Sequence, residues 1–299
     1  MTADRKLALW IVLAMFFWGA SWPIANVLSG YINVHEFISY RYIITTLSMA
    51  PVLWWMKLSF KISLKHFLIA SLAAILLIYY SKYYFLSTKH GAPGLAGAVV
   101  TTLMPVLVYL LMMFSKQNKT QGKDWLALLL GVLGVLITMD IWQFQLSEIL
   151  TGSSVYLLAA ATCWALMSIV TTFAKTVAPA TLSFYIYLMT ALLDLTFFFE
   201  PTHGSILAMD YVFWASIFIV TIGSTTFATT VYFIGIQRLG SKQASVFTFL
   251  VPFIAIGLSV IFLSETLQWT TILGAMMTIV ALMILNNIEF NFLTTKHEK

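Results

Sequence analysis

Two stretches of the chain resemble each other: "YYFLSTKHGAPGLAGAVVTTLMPVLVYLL" (residues 83–111) and "VYFIGIQRLGSKQASVFTFLVPFIAIGLSV" (residues 231–260). Each begins with aromatic residues at the end of an apolar run and continues through a short basic turn that contains glycine. A segment of small residues follows, and then a Leu-x-Pro triplet that ends at Pro105 or Pro252. The chain therefore contains an internal repeat.

Hydrophobic residues make up 61% of the 299 residues, whereas charged residues make up 9%. Soluble domains usually carry about 25% charged residues, so a soluble fold of this composition could not cover its surface with polar side chains. We predict an integral membrane protein that is surrounded by the lipid bilayer. The net charge is +5. The distribution of the basic residues fits a membrane topology and does not indicate a nucleic-acid partner.

Ten apolar runs are long enough to cross a bilayer as helices, which takes about 20 residues each. The runs are continuous, unlike the short alternating segments of a β-barrel, so we predict an all-α fold. A short polar N-terminus precedes the first run and no cleavage site follows it, so this run is expected to stay as a membrane helix. The predicted spans are residues 7–28, 35–56, 66–87, 93–114, 124–141, 153–174, 181–200, 211–236, 243–263 and 269–288.

The basic residues lie mostly on one side of these spans. Outer loops hold Lys89, and Arg41 and Lys82 lie within spans. The positive-inside rule then predicts that both termini are cytoplasmic. The cytoplasmic segments hold the other thirteen of the 16 basic residues, which are Arg5, Lys6, Lys57, Lys61, Lys65, Lys116, Lys119, Lys123, Lys175, Arg238, Lys242, Lys296 and Lys299.

Each half of the chain holds five predicted spans. Because five is odd, the second half enters the membrane from the opposite side. We predict two inverted five-helix repeats, residues 1–147 and 148–299, related by a pseudo-two-fold axis in the membrane plane. Many secondary transporters have this architecture, with a binding site near the midplane between the repeats.

Further motifs give the chain a family resemblance. The stretch "FFWGASWP" (residues 16–23), the two Leu-x-Pro triplets and "FLSETLQWTTILGAMMTIVAL" (residues 262–282) resemble the EamA-type drug/metabolite transporter superfamily over essentially the whole chain. The first half departs from the pattern because it lacks a counterpart of Glu265. The resemblance implies a transporter of small metabolites, commonly an amino-acid exporter of the bacterial inner membrane, that alternates access around a central cavity.

Three ionisable residues lie within spans, namely Arg41, Lys82 and Asp194. Such residues are rare and costly in lipid, and they indicate functional sites by default. Lys82 has two interpretations. If it points into the bundle, it shares a helix face with Tyr79 and Tyr83 and would bind a substrate carboxylate. If its stem reaches the interface, the lysine and the tyrosines anchor the helix there.

Arg41 and Asp194 are predicted as an ion pair or a coupling site. A guanidinium suits a structural clamp to Asp194, to Glu36 or to backbone carbonyls. Asp194 alternatively carries a proton during transport, or pairs with Lys82. The proton is therefore a candidate partner, and facilitated diffusion without a coupled ion is the alternative.

Trp18, Trp22 and Trp164 lie inside spans rather than at their ends, where an indole N–H needs a partner. We predict that they face a central cavity and contact substrate; helix packing is the alternative. Thr101 and Ser245 belong to small-residue segments that allow close helix approach, and both are candidate substrate contacts.

Enzyme signatures are missing from the sequence. It contains no Walker motif, no His/Cys/Asp cluster with metal-ligand spacing, and one cysteine. We therefore predict no catalytic activity, no cofactor and no metal.

The residues and the resemblance together predict a secondary transporter that exports amino acids with aromatic or bulky apolar side chains. An importer of a scarce nutrient, such as a nucleoside or an amine, is the alternative within transport. A membrane scaffold without a solute pathway is the alternative from another class. A buried polar cavity distinguishes transport from the scaffold.

Overall fold

The computed structural model describes residues 3–113, 122–139, 152–202, 206–239, 244 and 246–285. Within these ranges the chain forms ten helical rods, a short helical piece at residues 244 and 246–247, and no β-strand, which confirms the predicted all-α class. A short 3₁₀ turn, Ile206–Ala208, precedes the eighth rod. The rods are α1 (Ala3–Leu28), α2 (Val34–Trp55), α3 (Leu64–His90), α4 (Pro93–Met113), α5 (Gly122–Thr138), α6 (Ser153–Thr171), α7 (Pro179–Phe197), α8 (Tyr211–Leu239), α9 (Leu250–Leu263) and α10 (Trp269–Leu285).

The helix bounds follow the predicted spans closely, but the span predicted over residues 243–263 is interrupted: residues 244, 246 and 247 are helical, a turn follows, and α9 begins at Leu250. Residues 248–249 form a turn, and the Val251 N–H donates to the Thr248 carbonyl at 3.1 Å. Pro252 has no N–H to donate to a carbonyl four residues earlier. The break between the two helical pieces therefore lies just before the proline.

Length and composition identify the helices that could cross a membrane. The ten-span count and the cytoplasmic termini stay predictions, and the predicted boundary between positions 147 and 148 lies outside the described residues. Two further apolar helices, Leu250–Leu263 and Trp269–Ile284, are shorter than a full span. In the described part of the chain, six helices are long and apolar enough: Lys6–Leu28, Leu64–His90, Pro93–Leu111, Ser153–Thr171, Pro179–Phe197 and Tyr211–Leu239.

Local sequence explains where several helices begin. Asn33 and Glu36 form a capping box at α2: the Asn33 side chain accepts from the Glu36 N–H at 2.8 Å, and the Asn33 N–H donates to the Glu36 carboxylate at 2.9 Å. Asp210 caps α8 by accepting from the Phe213 N–H at 2.9 Å. Such caps satisfy amide groups that have no partner inside the helix.

Helices of the two halves pack in reciprocal pairs. α1 packs on α9, and correspondingly α4 packs on α6. α1 also packs on α8, as α3 does on α6, and α2 packs on α8, as α3 does on α7. The equivalent helices α2 and α7, α4 and α9, and α5 and α10 pack on each other. A two-fold axis between the halves produces this pattern.

The contact between α5 and α10 shows the reciprocity at atomic level. A Cβ on Gly134 would overlap the Thr278 side chain, and a Cβ on Gly274 would overlap the Thr138 side chain. Thr138 donates to the Gly134 carbonyl at 2.8 Å, and Thr278 donates to the Gly274 carbonyl at 2.9 Å. Glycine is therefore required on both sides of this contact.

Candidate functional site

A cavity of about 970 Å³ lies between the two halves of the bundle. Both halves contribute to its wall, and α5 is the one rod that supplies no lining residue in the described part of the chain. The wall is rich in aromatic rings and hydroxyl groups. Its aromatic members include Trp18, Trp22, Tyr42, Tyr80, Trp164, Tyr187 and Tyr232.

Five residues singled out from the sequence line this cavity. They are Trp18, Trp22, Arg41, Thr101 and Trp164. Trp18 lies in α1 and Trp164 in α6, the first helix of each half, so the two residues occupy matching positions in the repeats. Equivalent residues of the two repeats therefore line the same cavity.

The tryptophans at these matching positions have similar local surroundings. The Trp18 indole N–H donates to the Ser224 carbonyl at 2.9 Å, which satisfies its polar group. The Ser21 hydroxyl donates to the Trp18 carbonyl at 2.7 Å, and the Ser168 hydroxyl donates to the Trp164 carbonyl at 2.8 Å. Each tryptophan is thus followed, about one helical turn later, by a serine that also lines the cavity.

A change of helix type in α8 shapes one wall of the cavity. The helix becomes π-helical over Ile219–Phe227, and the Thr225 hydroxyl donates to the Val220 carbonyl five residues back at 2.8 Å. Wide turns of this kind are frequent at functional sites. The turn places Ser224 and Thr225 on the cavity wall. Sequence reasoning missed them, although the run of three hydroxyl residues at positions 224–226 was a signal.

Arg41 lies in the same wall with 9% of its surface exposed. Its Nε and Nη2 groups donate to the Thr225 hydroxyl at 3.3 and 3.2 Å. The guanidinium carbon is 5.6, 5.6 and 5.5 Å from the ring centroids of Phe37, Tyr42 and Tyr84. Tyr84 is also a side-chain hydrogen-bond partner of the guanidinium, so the cation is held by rings and by two hydroxyl groups.

The aromatic side chains form a connected wall beside Arg41. Tyr42 stacks on Tyr187 with ring centroids 5.6 Å apart, and the Tyr80 and Trp164 centroids are 4.8 Å apart. A hydrogen bond of 2.8 Å joins the hydroxyl groups of Tyr42 and Ser81. Packing and bonding thus fix the orientation of these rings.

The Lys82 face of α3 lies elsewhere. Tyr79, Lys82 and Tyr83 are not among the lining residues of the cavity, and the neighbouring Tyr80 takes that position. Tyr79 is 41% exposed, and Tyr83 stacks on both Tyr79 and Tyr156. In this structure the Lys82 face therefore lies outside the cavity wall, and a role of Tyr79, Lys82 or Tyr83 in substrate binding stays a prediction. Ser245, the remaining candidate, lies outside the described residues.

Asp194 is fully buried and does not pair with Arg41. Its two carboxylate oxygens are 2.8 Å from His35 Nδ1 and 2.8 Å from the Ser39 hydroxyl. No carboxylate in the described part of the chain lies within 4.0 Å of the Arg41 guanidinium. Arg41 lines the cavity, whereas Asp194 joins α7 to the start of α2. The two predicted partners therefore have separate environments.

Polar contacts between the two halves close one end of the bundle. The buried Glu36 carboxylate in the first half accepts from the Thr202 N–H at 2.9 Å and from its hydroxyl at 2.7 Å. In the opposite sense, the Glu265 carboxylate of the second half accepts from the N–H groups of Gly94 and Leu95 at 2.8 and 3.2 Å. These charge-assisted bonds hold the halves together at this end.

Asp210 adds another contact at the closed end. Its carboxylate accepts a hydrogen bond of 2.9 Å from the Tyr31 hydroxyl. The pKa of Asp210 lies below its usual value because the Phe213 N–H, and then the Tyr31 hydroxyl, stabilise the charged form. The contact is therefore made by a carboxylate at neutral pH.

At the other end, the cavity reaches the connection between α6 and α7. Thr172, Lys175 and Pro179 are exposed and also belong to the cavity wall, so the cavity opens to the surface here. A hydrogen bond of 3.1 Å from the Thr181 hydroxyl to the Ser59 carbonyl links α7 to the α2–α3 connection beside the opening. The chamber is thus open at one end and closed at the other.

Within the described ranges, no group of three or more His, Cys, Asp and Glu side chains is arranged to hold a metal ion.

Comparison with solved structures gives 26 matching chains. One of them, titled "Crystal structure of protein", aligns with a TM-score of 0.67 at 16% identity, over 94% of this chain and 96% of its own. This likeness concerns the fold. No curated protein matches the chain.

Comparison with family models gives a match in each half of the chain. The EamA-like transporter family matches residues 5–139 and again residues 152–287. The two matched regions are consecutive and together span most of the chain, as the internal repeat predicts. The chain belongs to the EamA-like transporter family, whose members are multi-pass membrane transporters of small molecules.

Proposed function

We propose that this protein is a secondary transporter that exports amino acids with aromatic or bulky apolar side chains by alternating access around the central cavity. The observation that carries the proposal is the chamber itself, which is lined by both halves, open at one end and closed at the other. Its volume of about 970 Å³ lies at the upper end of the range of about 300–1,000 Å³ for small-molecule sites.

The cavity wall supports the choice of substrate. Tyr80 and Trp164 offer ring faces to an aromatic or bulky apolar side chain, because aromatic rings stack favourably with one another. Ser21, Ser168 and Thr225 offer hydroxyl groups to the polar end of a solute. Such a mixture of apolar walls and a few polar groups is typical of small-molecule sites.

The open end is the side from which an exporter would load its solute. The positive-inside rule assigns the α6–α7 connection, with Lys175, to the cytoplasm. A cavity that opens there would load solute from inside the cell, and we propose the inner membrane as its location, as the family resemblance implies. An importer of a nucleoside or an amine is the second candidate, because a transporter of either direction passes through an inward-open state.

The lining also favours transport over a scaffold role. A scaffold would bury Trp18 and Trp164 in helix packing, whereas both residues border the chamber. Asp194, the candidate proton carrier, is not among the lining residues of the cavity. A proton gradient and facilitated diffusion are therefore both retained as mechanisms.

The test is solute flux in proteoliposomes made with the purified protein. Radiolabelled amino acids, nucleosides and amines are supplied with and without a pH gradient. We expect saturable uptake of aromatic amino acids. A dependence on the pH gradient would assign proton coupling, and its absence would assign facilitated diffusion.

Two variants of α6 form the matched control for this flux test. Ser168→Trp places an indole in the cavity beside Trp164 and is expected to obstruct uptake. Leu166→Trp adds the same ring on the outer surface, where Leu166 is 40% exposed, and is expected to retain uptake. Absence of flux for every solute in folded protein would contradict the proposal.

A further inference from the structure

The cavity wall carries positive charge and no negative charge. Its charged side chains are Arg41 and Lys175, and no Asp or Glu is among the lining residues of the described chain. Lys175 lies at the exposed mouth, where the surrounding water screens it. Arg41 lies deeper and is almost fully buried. A solute that enters therefore meets a wall with one buried cation and no counter-charge.

The partners of Arg41 satisfy only part of its guanidinium. A guanidinium has five N–H donors and stays charged in proteins. The hydroxyl of Thr225 takes two of these bonds, at 3.3 and 3.2 Å, which is at or beyond the long end of the range of about 2.7–3.2 Å for such bonds.

The Arg41 guanidinium has more donors than its protein partners occupy. The Thr225 hydroxyl bonds Nε and Nη2, and Tyr84 is a further side-chain hydrogen-bond partner, so two hydroxyl groups share five N–H donors. The Arg41 side chain borders the cavity. A buried cation with hydrogen-bonding capacity left for a ligand thus lines the chamber.

A purely structural role for Arg41 explains these contacts less well. The three ring centroids are 5.5 to 5.6 Å from the guanidinium carbon, near the outer limit of about 6 Å for a cation–π contact. A buried charge is costly unless an opposite charge and good hydrogen bonds compensate it. A structural clamp would be expected to include a carboxylate, and none in the described chain lies within 4.0 Å.

We propose that Arg41 binds the carboxylate of the transported solute, and that the solute class is organic carboxylates with an aromatic or bulky apolar body. This inference rests on the proposed transport function and narrows it. A carboxylate matches the fork of N–H groups on a guanidinium, and the ring wall of Tyr80 and Trp164 receives the apolar body. Because no lining carboxylate would pair with an ammonium group, the amino group of an amino acid is not required for binding.

Four solutes that share a phenyl ring but differ in charged groups test which charge the cavity recognises. They are phenylalanine, 3-phenylpropionate, phenethylamine and the neutral 3-phenylpropanol. Binding to the detergent-purified full chain is measured by thermal shift, and flux is measured by competition in proteoliposomes. We expect phenylalanine and 3-phenylpropionate to bind within about threefold of each other, and the other two to bind roughly tenfold or more weakly, as the loss of a charge-assisted contact implies.

Substitutions of Arg41 and of Lys82 test whether Arg41 is the residue that binds the carboxylate. Arg41→Gln is expected to lower the affinity for both carboxylates by about tenfold or more while leaving the weak binding of 3-phenylpropanol unchanged. Arg41→Lys, which keeps the charge without the fork, is expected to retain part of the affinity. Lys82→Gln removes a cation that lies outside the cavity wall and is expected to bind as the unmodified chain does.

The outcomes separate this inference from the transport proposal. Flux or binding that is equal for phenethylamine and 3-phenylpropionate would overturn the inference and leave transport intact. Full carboxylate affinity in folded Arg41→Gln would do the same. If the unmodified chain binds neither carboxylate, the inference fails whatever the flux result; if it binds them without any flux, the transport proposal fails and the binding site stands.

Discussion

Tyr79 and Tyr80 are adjacent in α3 but lie in different environments. Tyr80 is 8% exposed and packs against Trp164 in the cavity wall, whereas Tyr79 is 41% exposed and stacks on Tyr83 away from it. Successive residues of a helix point about 100° apart, so the two phenols cannot both face the chamber. The pair therefore provides a matched comparison within one helical turn.

We predict that Tyr80→Ala raises the KM for an aromatic solute about tenfold, because a lost ring contact and its apolar area are worth roughly 1.4 kcal/mol in binding. Tyr79→Ala is expected to change the KM by about twofold or less, as substitutions outside a site usually do. Initial rates of uptake in proteoliposomes measure both values. Equal effects of the two variants would refute the placement of Tyr80 in the binding site.

At this scale the sequence allowed only part of the site to be predicted. An indole or a guanidinium inside an apolar span needs a polar partner, so Trp18, Trp164 and Arg41 could be identified without coordinates. The face of α3 could not, because that helix is apolar on nearly all sides. Lys82 drew attention by its charge. The buried polar residues of α3 are instead uncharged, such as Ser81, whose hydroxyl bonds to Tyr42 within the bundle.

Helix α4 approaches α9 through Gly97. A Cβ at this position would be 2.6 Å from the Ala255 Cβ and 2.9 Å from the Trp22 ring, both closer than van der Waals contact. A Cβ added to Gly257, in α9, would have no neighbour within 4 Å. The two glycines therefore separate the effect of helix contact from the effect of helix propensity.

We predict that Gly97→Ala destabilises the protein by about 1–3 kcal/mol, the usual cost of overpacking. That corresponds to a fall of several degrees in apparent Tm. Gly257→Ala is expected to keep or raise the Tm, since alanine is favoured over glycine within a helix by up to about 1 kcal/mol. Thermal unfolding of the purified variants, followed by tryptophan fluorescence, measures both. A Gly97→Ala protein as stable as Gly257→Ala would contradict the close contact of α4 with α9.

Helix bounds were the most predictable elements, because a run of about 20 apolar residues has few alternatives in a bilayer. Two features of single elements escaped prediction. The π-helical stretch Ile219–Phe227 shifts hydrogen bonds by one residue without changing hydropathy. The turn at residues 248–249, which interrupts the helix before Leu250, depends on how one proline fits the chain.

The whole molecule combines a two-fold relation between halves with an asymmetric chamber. Reciprocal helix pairs indicate the two-fold relation, yet polar contacts join the halves at one end and the chamber opens at the other. If the two halves exchanged conformations, the open and closed ends would also exchange. This is the physical basis of alternating access in transporters built from inverted repeats.

The central claim is that solute passes through the chamber between the halves. The chain has one cysteine, so Cys163→Ser provides a background in which new thiols can be labelled singly. Ser168→Cys places a thiol in the cavity wall of α6, and Leu166→Cys places one on the outer surface of the same helix. A water-soluble reagent reacts with the thiolate, which forms in a water-filled cavity and not in lipid.

The most direct test treats both variants in proteoliposomes with a membrane-impermeant methanethiosulfonate reagent, added to both faces, and then measures solute flux. We predict that Ser168→Cys is modified, that modification stops most of its flux, that bound solute slows the reaction, and that Leu166→Cys stays unmodified and active. A fully modified Ser168→Cys protein that transports solute at its unmodified rate would contradict the account.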